Sequence, residues 1–168
     1  NTHLANGGAI PFPAGETVQS GGTLAVIIGD TARKVPVEQV SRYLAGYALA
    51  NDVSLPESSF YRPAIKAKCR DGFCPLGEIG QLEAADRLEI VTEINGVEQD
   101  RWSTADLVRS VPELIAAISD FITLQPGDAV LIGTPHQRVE IKPGDEVTVR
   151  AAGLPTLTNR VTQAGAAS

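Results

Sequence analysis

The sequence predicts a β-rich α+β domain, and three observations support this class. About six or seven short segments have the apolar runs or the alternation of β-strands, and these do not alternate regularly with the two segments that have helical spacing. Sixteen glycines and eleven prolines are spread along the chain, which is typical of many turns between short elements. A chain of 168 residues is large enough to bury its own core, so we expect one domain over residues 1–168.

The composition disfavours several classes of partner and site. A net charge of −6 and an isoelectric point near 4.9 disfavour binding to nucleic acid or to an anionic membrane, because like charges repel. The chain contains no apolar run long enough to span a bilayer and no segment resembling a signal peptide, so we expect a cytoplasmic protein. Cys69 and Cys74 are too few for a disulfide framework, and with only His3 and His136 as further soft ligands they do not predict a zinc site. We expect reduced thiols.

The first third of the chain predicts an extended start, a buried strand and a helix. Prolines within residues 10–13 favour extended backbone, and the apolar run at residues 24–28, bounded by glycines, predicts a buried strand. Pro36 suits the first turn of a helix that we expect to continue to Asn51. The apolar residues at helical spacing in this segment are Val37, Val40, Tyr43, Leu44 and Tyr47.

The second half predicts a hairpin and a second helix. Residues 88–94 alternate as a half-exposed strand does, and Asn95-Gly96 is a strong signal for a tight hairpin turn. Ser103 or Thr104 is expected to cap a short helical turn. Residues 110–113 have the pattern of a capping box with proline in the first turn, which predicts a helix start. The predicted buried face of this helix comprises Leu114, Ile115, Ile118, Phe121 and Ile122.

Two further features are turns. The Pro-Gly-Asp triplets at residues 126–128 and 143–145 have proline and glycine where a type II turn requires them, and each predicts the entry to a strand. Thr134 and His136 follow the first of these strands, where binding groups are common, although a simple Gly-Pro turn is the alternative. His3 lies in a polar start, where a solvated side chain is expected.

Residues 66–78 predict a shaped loop, because five charged residues, two cysteines, two glycines and a proline are poorly suited to one regular element. The loop is either a solvated connector or a functional segment that fixes the position of its lysines, Lys66 and Lys68. Asp52, which follows the first predicted helix, has a similar pair of interpretations. It is either a turn residue or a carboxylate that faces a cleft.

Several stretches together match a known family in order along nearly the whole chain. The chain resembles the fumarylacetoacetate hydrolase family, which implies a mixed β-sheet roll with a few flanking helices. Family members normally carry an additional amino-terminal segment with a lid, and we expect this chain to lack it. The matching stretches are residues 24–29, 45–54 and 68–78, Asn95-Gly96, residues 123–128, Gly133-Thr134-Pro135 and residues 143–145.

The resemblance also implies a divalent cation, Mg²⁺ or Mn²⁺, held by a Glu-x-Glu pair and a third acid. Such a cation would act as a Lewis acid on an α-keto or enol carboxylate. The matching positions make Asp52 the third acid, and Asp52 and Lys68 the candidate catalytic residues. The candidate substrate-binding residues are Thr134, Lys68 and Arg70.

The sequence departs from this family pattern at three positions. Gly21 and Thr23 stand where the two glutamates are expected, and Pro56 stands where an arginine is usual. Because Mg²⁺ loses its water reluctantly, one carboxylate from Asp52 is a poor site for it. We therefore expect weak or no metal binding by this chain.

The resemblance leaves three functional hypotheses. The first is an isomerase/decarboxylase subunit of aromatic catabolism that acts on a small-molecule polycarboxylate, as a homo-oligomer or with a sister subunit. The second is a metal-free, non-catalytic partner that completes a complex with a metal-bearing sister chain. The third is a hydrolase of acylpyruvates. It would need the two acids that Gly21 and Thr23 replace, and a base from the amino-terminal segment that this chain is expected to lack.

Overall fold

The computed structural model describes residues 2–57, 63–134 and 138–164. In these residues, twelve strands form two five-stranded sheets and one two-stranded sheet, and the helices are few. The β-rich α+β class is therefore confirmed. The strands are β1 (His3–Ala5), β2 (Ala9–Phe12), β3 (Val18–Ser20), β4 (Gly22–Ile28), β5 (Leu44–Asn51), β6 (Cys74–Leu76), β7 (Glu89–Ile94), β8 (Val97–Ser103), β9 (Ala129–Leu131), β10 (Val139–Ile141), β11 (Glu146–Arg150) and β12 (Leu157–Gln163). The helices are α1 (Ile65–Lys68) and α2 (Val111–Phe121), with 3-10 helices at Val37–Tyr43 and Thr104–Asp106.

The first large sheet has the strand order β1-β6-β5-β4-β9. All residues of β4 are buried, which confirms the buried strand predicted from the apolar run. Pairing in this sheet is antiparallel except between β1 and β6. The sheet therefore brings the end of β5 beside both the start of β4 and the segment that leads into β6.

The second large sheet has the strand order β2-β12-β11-β7-β8. The predicted hairpin joins β7 to β8, with φ angles of 52° at Asn95 and 78° at Gly96, as a type I′ turn requires. Both Pro-Gly-Asp triplets lead into strands, β9 and β11, as predicted. Each triplet's aspartate accepts a hydrogen bond from the backbone N–H three residues earlier, which closes the turn.

The main hydrophobic core is built from both large sheets and from α2. Leu24 of β4, Val149 of β11 and Ile115 of α2 are all fully buried members of this cluster. A polar contact also joins the sheets, since the indole N–H of Trp102 in β8 donates to the carbonyl of Gly22 at 3.0 Å. The two sheets are therefore parts of one packed unit.

The prediction of one helix from Pro36 to Asn51 is wrong for the second half of this segment. A 3-10 helix ends at Tyr43, and Leu44–Asn51 is strand β5, which pairs with β4 along its length. Gly46 has a φ of 148°, and a Cβ atom at this position would lie 2.6 Å from the carbonyl oxygen of Gly80. Sheet pairing and this close backbone approach outweigh the helical spacing of the side chains.

Two other expectations also need correction. Residues 66–78 are only partly a loop, because α1 includes Lys68 and β6 begins at Cys74. The capping box at Ser110 and Glu113 is confirmed, but Phe121 and Ile122 at the end of α2 are exposed. Ile115 is fully buried as predicted, Leu114 and Ile118 are partly buried against the main core, and Val111 and Ser119 are the other buried residues of α2. The Ser119 hydroxyl accepts from the N–H of Val35 at 3.0 Å and donates to the Ala116 carbonyl, so this buried polar group is satisfied.

No helix within residues 2–57, 63–134 and 138–164 has the length and apolar character needed to cross a membrane.

Candidate active site

Asp52 lies immediately after β5, where backbone hydrogen bonds hold the chain on two sides. Its N–H donates to the Gly21 carbonyl at 2.9 Å. The next residue, Val53, donates to the Phe73 carbonyl at 3.1 Å, and the Leu55 N–H donates to the Ala67 carbonyl at 3.2 Å. The segment that carries Asp52 therefore lies between the β3–β4 junction and the lysine loop, residues 66–78.

The Asn51 side chain positions the other side of this junction. Its Oδ1 atom is buried and accepts hydrogen bonds from the Ser20 hydroxyl at 2.8 Å and from the Gly21 N–H at 3.1 Å. These two bonds fix the backbone of Gly21 beside Asp52. Sequence reasoning included Asn51 in a matching stretch but did not identify this positioning role.

Lys68 reaches Asp52 from the end of α1. Its Nζ donates to Asp52 Oδ2 at 2.8 Å, and Glu57 Oε1 is 3.5 Å away on the exposed side. The loop is anchored by Phe73, which is buried in a second hydrophobic cluster with Val53 and Ile10. Burial of this one aromatic ring ties the charged loop to the core and so places the lysine.

Arg138 is the member of the site that sequence reasoning missed. It directly precedes β10, whose Val139 pairs with Ser20 of β3, and this register brings Arg138 beside Gly21. Its Nη2 donates to Asp52 Oδ2 at 2.6 Å and to Thr134 Oγ1 at 3.0 Å, and its Nη1 donates to the Asp52 carbonyl. No local sequence signal marks this arginine, because Asp52, which accepts from both of its terminal nitrogens, is 86 residues away in the sequence.

The other predicted site residues have different placements. Thr134 belongs to the cluster, since its hydroxyl accepts from Arg138. Arg70 donates from Nε to the Lys66 carbonyl at 2.8 Å, and its guanidinium carbon lies 6.0 Å from the centre of the Phe73 ring. The substrate-binding role of Arg70 therefore stays a prediction. His136 lies outside the described residues.

Arg138 and Asp52 are largely shielded from solvent, whereas Lys68 is more accessible. The side chains of Arg138 and Asp52 are 13% and 15% exposed, whereas that of Lys68 is 35% exposed. Ion pairs that are partly withdrawn from water interact more strongly than surface pairs. The arrangement can therefore hold two cations in fixed positions while leaving one of them accessible to an anionic ligand.

The charge of Asp52 also affects the pKa of the nearby Cys74 thiol. Burial, together with the negative charge of Asp52, raises the pKa of the Cys74 thiol. Cys69 is exposed, and neither cysteine forms a disulfide in the structure.

The residues at the site do not fit the divalent cation of the family pattern. Gly21 has no side chain to offer, and the buried Thr23 donates its hydroxyl to the Gly133 carbonyl. Within the described ranges, no three His, Cys, Asp or Glu side chains are grouped as metal ligands. Asp52 Oδ2 is already held by Lys68 and Arg138, whereas Mg²⁺ and Mn²⁺ require several oxygen ligands.

Comparison with known proteins decides the family. The profile described as fumarylacetoacetate (FAA) hydrolase C-terminal matches residues 1–162. The chain belongs to the fumarylacetoacetate hydrolase family. The resemblance inferred from the ordered motifs is therefore confirmed.

Three known proteins show how similar this chain is to other proteins of the family. The chain is 62% identical over 161 residues to the 4-hydroxyphenylacetate degradation bifunctional isomerase/decarboxylase of Escherichia coli, covering 96% of this chain but only 38% of that protein. The structure of 5-carboxymethyl-2-hydroxymuconate delta-isomerase from Mycobacterium smegmatis matches with a TM-score of 0.91 and 34% identity, covering 98% of this chain and 66% of that one. Maleylpyruvate hydrolase from Sphingobium sp. SYK-6, described in complex with manganese (II) ion and pyruvate, matches with a TM-score of 0.86 and 28% identity, covering 97% and 62%.

Proposed function

We propose that this chain is an isomerase/decarboxylase subunit of 4-hydroxyphenylacetate (homoprotocatechuate) degradation. It would decarboxylate 5-oxopent-3-ene-1,2,5-tricarboxylate, or isomerise 5-carboxymethyl-2-hydroxymuconate or the 2-hydroxyhepta-2,4-dienedioate product. The observation that carries the proposal is the ammonium of Lys68, which Asp52 holds at 2.8 Å at an accessible end of the cluster. The 62% identity to the Escherichia coli isomerase/decarboxylase supports the choice of reaction, although the chain spans only 38% of that protein.

A fixed cation suits both reactions because both pass through a negatively charged conjugated system. In decarboxylation, the bond between carbon and a carboxylate breaks, CO₂ leaves, and the electron pair moves through the double bond onto the oxo group. A proton from solvent then completes the product. In isomerisation, a proton leaves one carbon and returns to another carbon of the same conjugated system. Lys68 would stabilise the charge that develops on oxygen in either case.

Thr134 and Asp52 would position the substrate and Lys68, and would not themselves stabilise the developing charge. The Thr134 hydroxyl would orient a substrate carboxylate, since it lies within hydrogen-bonding distance of the cation cluster. Asp52 would hold the lysine in place, because its Oδ2 accepts from Nζ. A cation held in advance needs little reorganisation when charge develops, which is the basis of its effect on rate.

The direct test is the effect of Lys68→Ala on CO₂ release by the purified chain with the tricarboxylate substrate. We expect a loss of about 100-fold or more in kcat/KM, as for removal of a preorganised stabilising group. Lys66→Ala is the matched control, because this lysine lies on the same helical turn with an exposed side chain. Equal activity of the two variants and the parent chain would contradict the catalytic role of Lys68.

A second candidate function is that of a non-catalytic partner for a metal-bearing sister chain. It is favoured by the loss of the acids at Gly21 and Thr23 and by the 38% coverage of the Escherichia coli relative. The discriminating experiment measures CO₂ release by this chain alone and after co-expression with the remaining part of that relative, with and without Mg²⁺. Turnover only in the mixture, unaffected by Lys68→Ala, would support the partner role. Turnover by the chain alone would contradict it.

A further inference from the structure

We propose that the guanidinium of Arg138 provides the fixed positive charge that binds the carboxylate end of the ligand, so that ligand binding at this site needs no divalent cation. The inference rests on the proposed function only for the class of ligand, a dicarboxylate or α-keto acid. It concerns a residue that matches no part of the family pattern read from the sequence.

The first support is the way in which the guanidinium is held. Arg138 donates from two nitrogens to three oxygens, namely Oδ2 and the carbonyl oxygen of Asp52 and the hydroxyl of Thr134. Its side chain is only 13% exposed. Withdrawing a guanidinium from water is costly, so this position is stable only because its partners are aligned with it. The result is a cation whose place is set before any ligand arrives.

The second support is the donor capacity that remains. A guanidinium carries five N–H groups, and within the described residues the structure records partners for three of them. The Nε hydrogen and one hydrogen of Nη1 have no recorded partner there. Lys68 Nζ donates to the same Asp52 oxygen as Arg138 Nη2. Two neighbouring cations with unused donors suit a ligand that carries two adjacent anionic oxygens.

The third support is the space beside Gly21. A Cβ atom at this position would lie 3.0 Å from Thr134 Cγ2 and 3.3 Å from Arg138 Nη1. A glutamate at position 21 would therefore reach into the volume that the guanidinium now occupies. Glycine at position 21 therefore leaves room for the Arg138 guanidinium. In this arrangement a side-chain cation lies where the family pattern has a glutamate and the metal ion it would hold.

The test measures binding of oxalate, a planar dicarboxylate, to the full chain by isothermal titration calorimetry. We expect wild-type protein to bind oxalate in the presence of EDTA, with a Kd that changes by less than about twofold when Mn²⁺ replaces EDTA. We expect Arg138→Gln to weaken binding by about tenfold or more, and Arg138→Lys, which keeps the charge without the fork, to have an intermediate effect. Arg160→Gln is the matched control, since this arginine is 69% exposed on β12.

Several outcomes would overturn the inference. These are absence of oxalate binding by wild-type protein in EDTA, tightening of about tenfold or more by Mn²⁺, or unchanged affinity in Arg138→Gln. If Arg138→Gln does not fold, as judged by circular dichroism, the wild-type comparison and Arg138→Lys still decide.

The binding experiment is independent of the turnover experiment. Oxalate binding that depends on Arg138 in a chain that releases no CO₂ would contradict the proposed function alone. CO₂ release by a chain whose oxalate binding depends on Mn²⁺ and not on Arg138 would contradict this inference alone.

Discussion

Asp52 accepts hydrogen bonds from two cations that are 16 and 86 residues away in the sequence. The nearer cation, Lys68, was predicted because it belongs to a recognisable loop. The farther one, Arg138, was not predicted, because its approach depends on the pairing of β10 with β3. The roles of Asp52, Lys68 and Thr134 stay predictions. The structure adds that Lys68 and Arg138 both donate to Asp52 Oδ2 and that Arg138 also donates to the Thr134 hydroxyl.

At the residue scale, the two cysteines should differ in reactivity. Burial and the charge of Asp52 raise the pKa of Cys74, so its reactive thiolate forms only at higher pH. We expect iodoacetamide to label the exposed Cys69 first, and we expect the labelling rate of Cys74, measured by mass spectrometry in a Cys69→Ser variant, to rise only in alkaline solution. Asp52→Asn should shift that pH profile downward. Labelling of Cys74 at neutral pH as fast as Cys69 would contradict the prediction.

The raised pKa of the Cys74 thiol should lower the stability of the fold in alkaline solution. Because the folded state favours the neutral form, its contribution to the free energy of unfolding is present below the ordinary thiol pKa of 9.0. The contribution is lost as the pH rises through the raised value. Urea midpoints measured at increasing pH should therefore fall on the alkaline side, and less so in Cys74→Ser.

At the scale of elements, β5 shows how tertiary pairing can override a local pattern. Helical spacing of apolar residues favoured a helix through Tyr47, but pairing with β4 on one side and β6 on the other makes the segment a strand. The strand reading also places Asp52 at a strand end, where its carboxylate can meet groups from other segments. Local turn and cap signals, such as Asn95-Gly96 and Ser110, were correct because they depend on nearby backbone alone.

Gly46 provides a test of this element. Gly46→Ala should destabilise the protein more than Gly15→Ala, because both positions have positive φ but only Gly46 has a backbone oxygen, that of Gly80, in the way of a Cβ. We expect about 1–2 kcal/mol for Gly15→Ala, from the φ angle alone, and a larger loss for Gly46→Ala. The free energy of unfolding in urea measures both. Equal losses would show that the contact with Gly80 does not constrain the strand.

At the scale of the whole molecule, the first two strands, β1 and β2, each form an edge of one of the two large sheets. The strand β1 pairs with β6, next to the lysine loop, and β2 pairs with β12 near the end of the described chain. The core cluster takes residues from both sheets, and Trp102 joins them by a hydrogen bond to Gly22. We therefore expect one cooperative unfolding transition, with Trp102 fluorescence and far-ultraviolet circular dichroism changing together in urea.

Leu157 tests this shared core. It is 1% exposed, begins β12 and belongs to the main cluster. Leu157→Ala should lower the free energy of unfolding by about 2–5 kcal/mol, because the cavity cannot fully collapse between two sheets. Val108→Ala, at a position that is 97% exposed, should change it by less than about 0.5 kcal/mol. Separate transitions for the two spectroscopic signals would instead indicate that the sheets unfold independently.

The amino-acid sequence by itself determined the β-rich class, the family, the buried strand β4, the hairpin and turn positions, and the candidates Asp52, Lys68 and Thr134. These features depend on local backbone chemistry, on the period of apolar residues, or on motifs read in order. Only the tertiary structure decided that Leu44–Asn51 is a strand, that Phe121 is exposed, and that Arg138 lies between Asp52, Thr134 and Gly21. Each of these depends on how distant segments pair or pack. Strand pairing in particular places residues together at separations that no local pattern records.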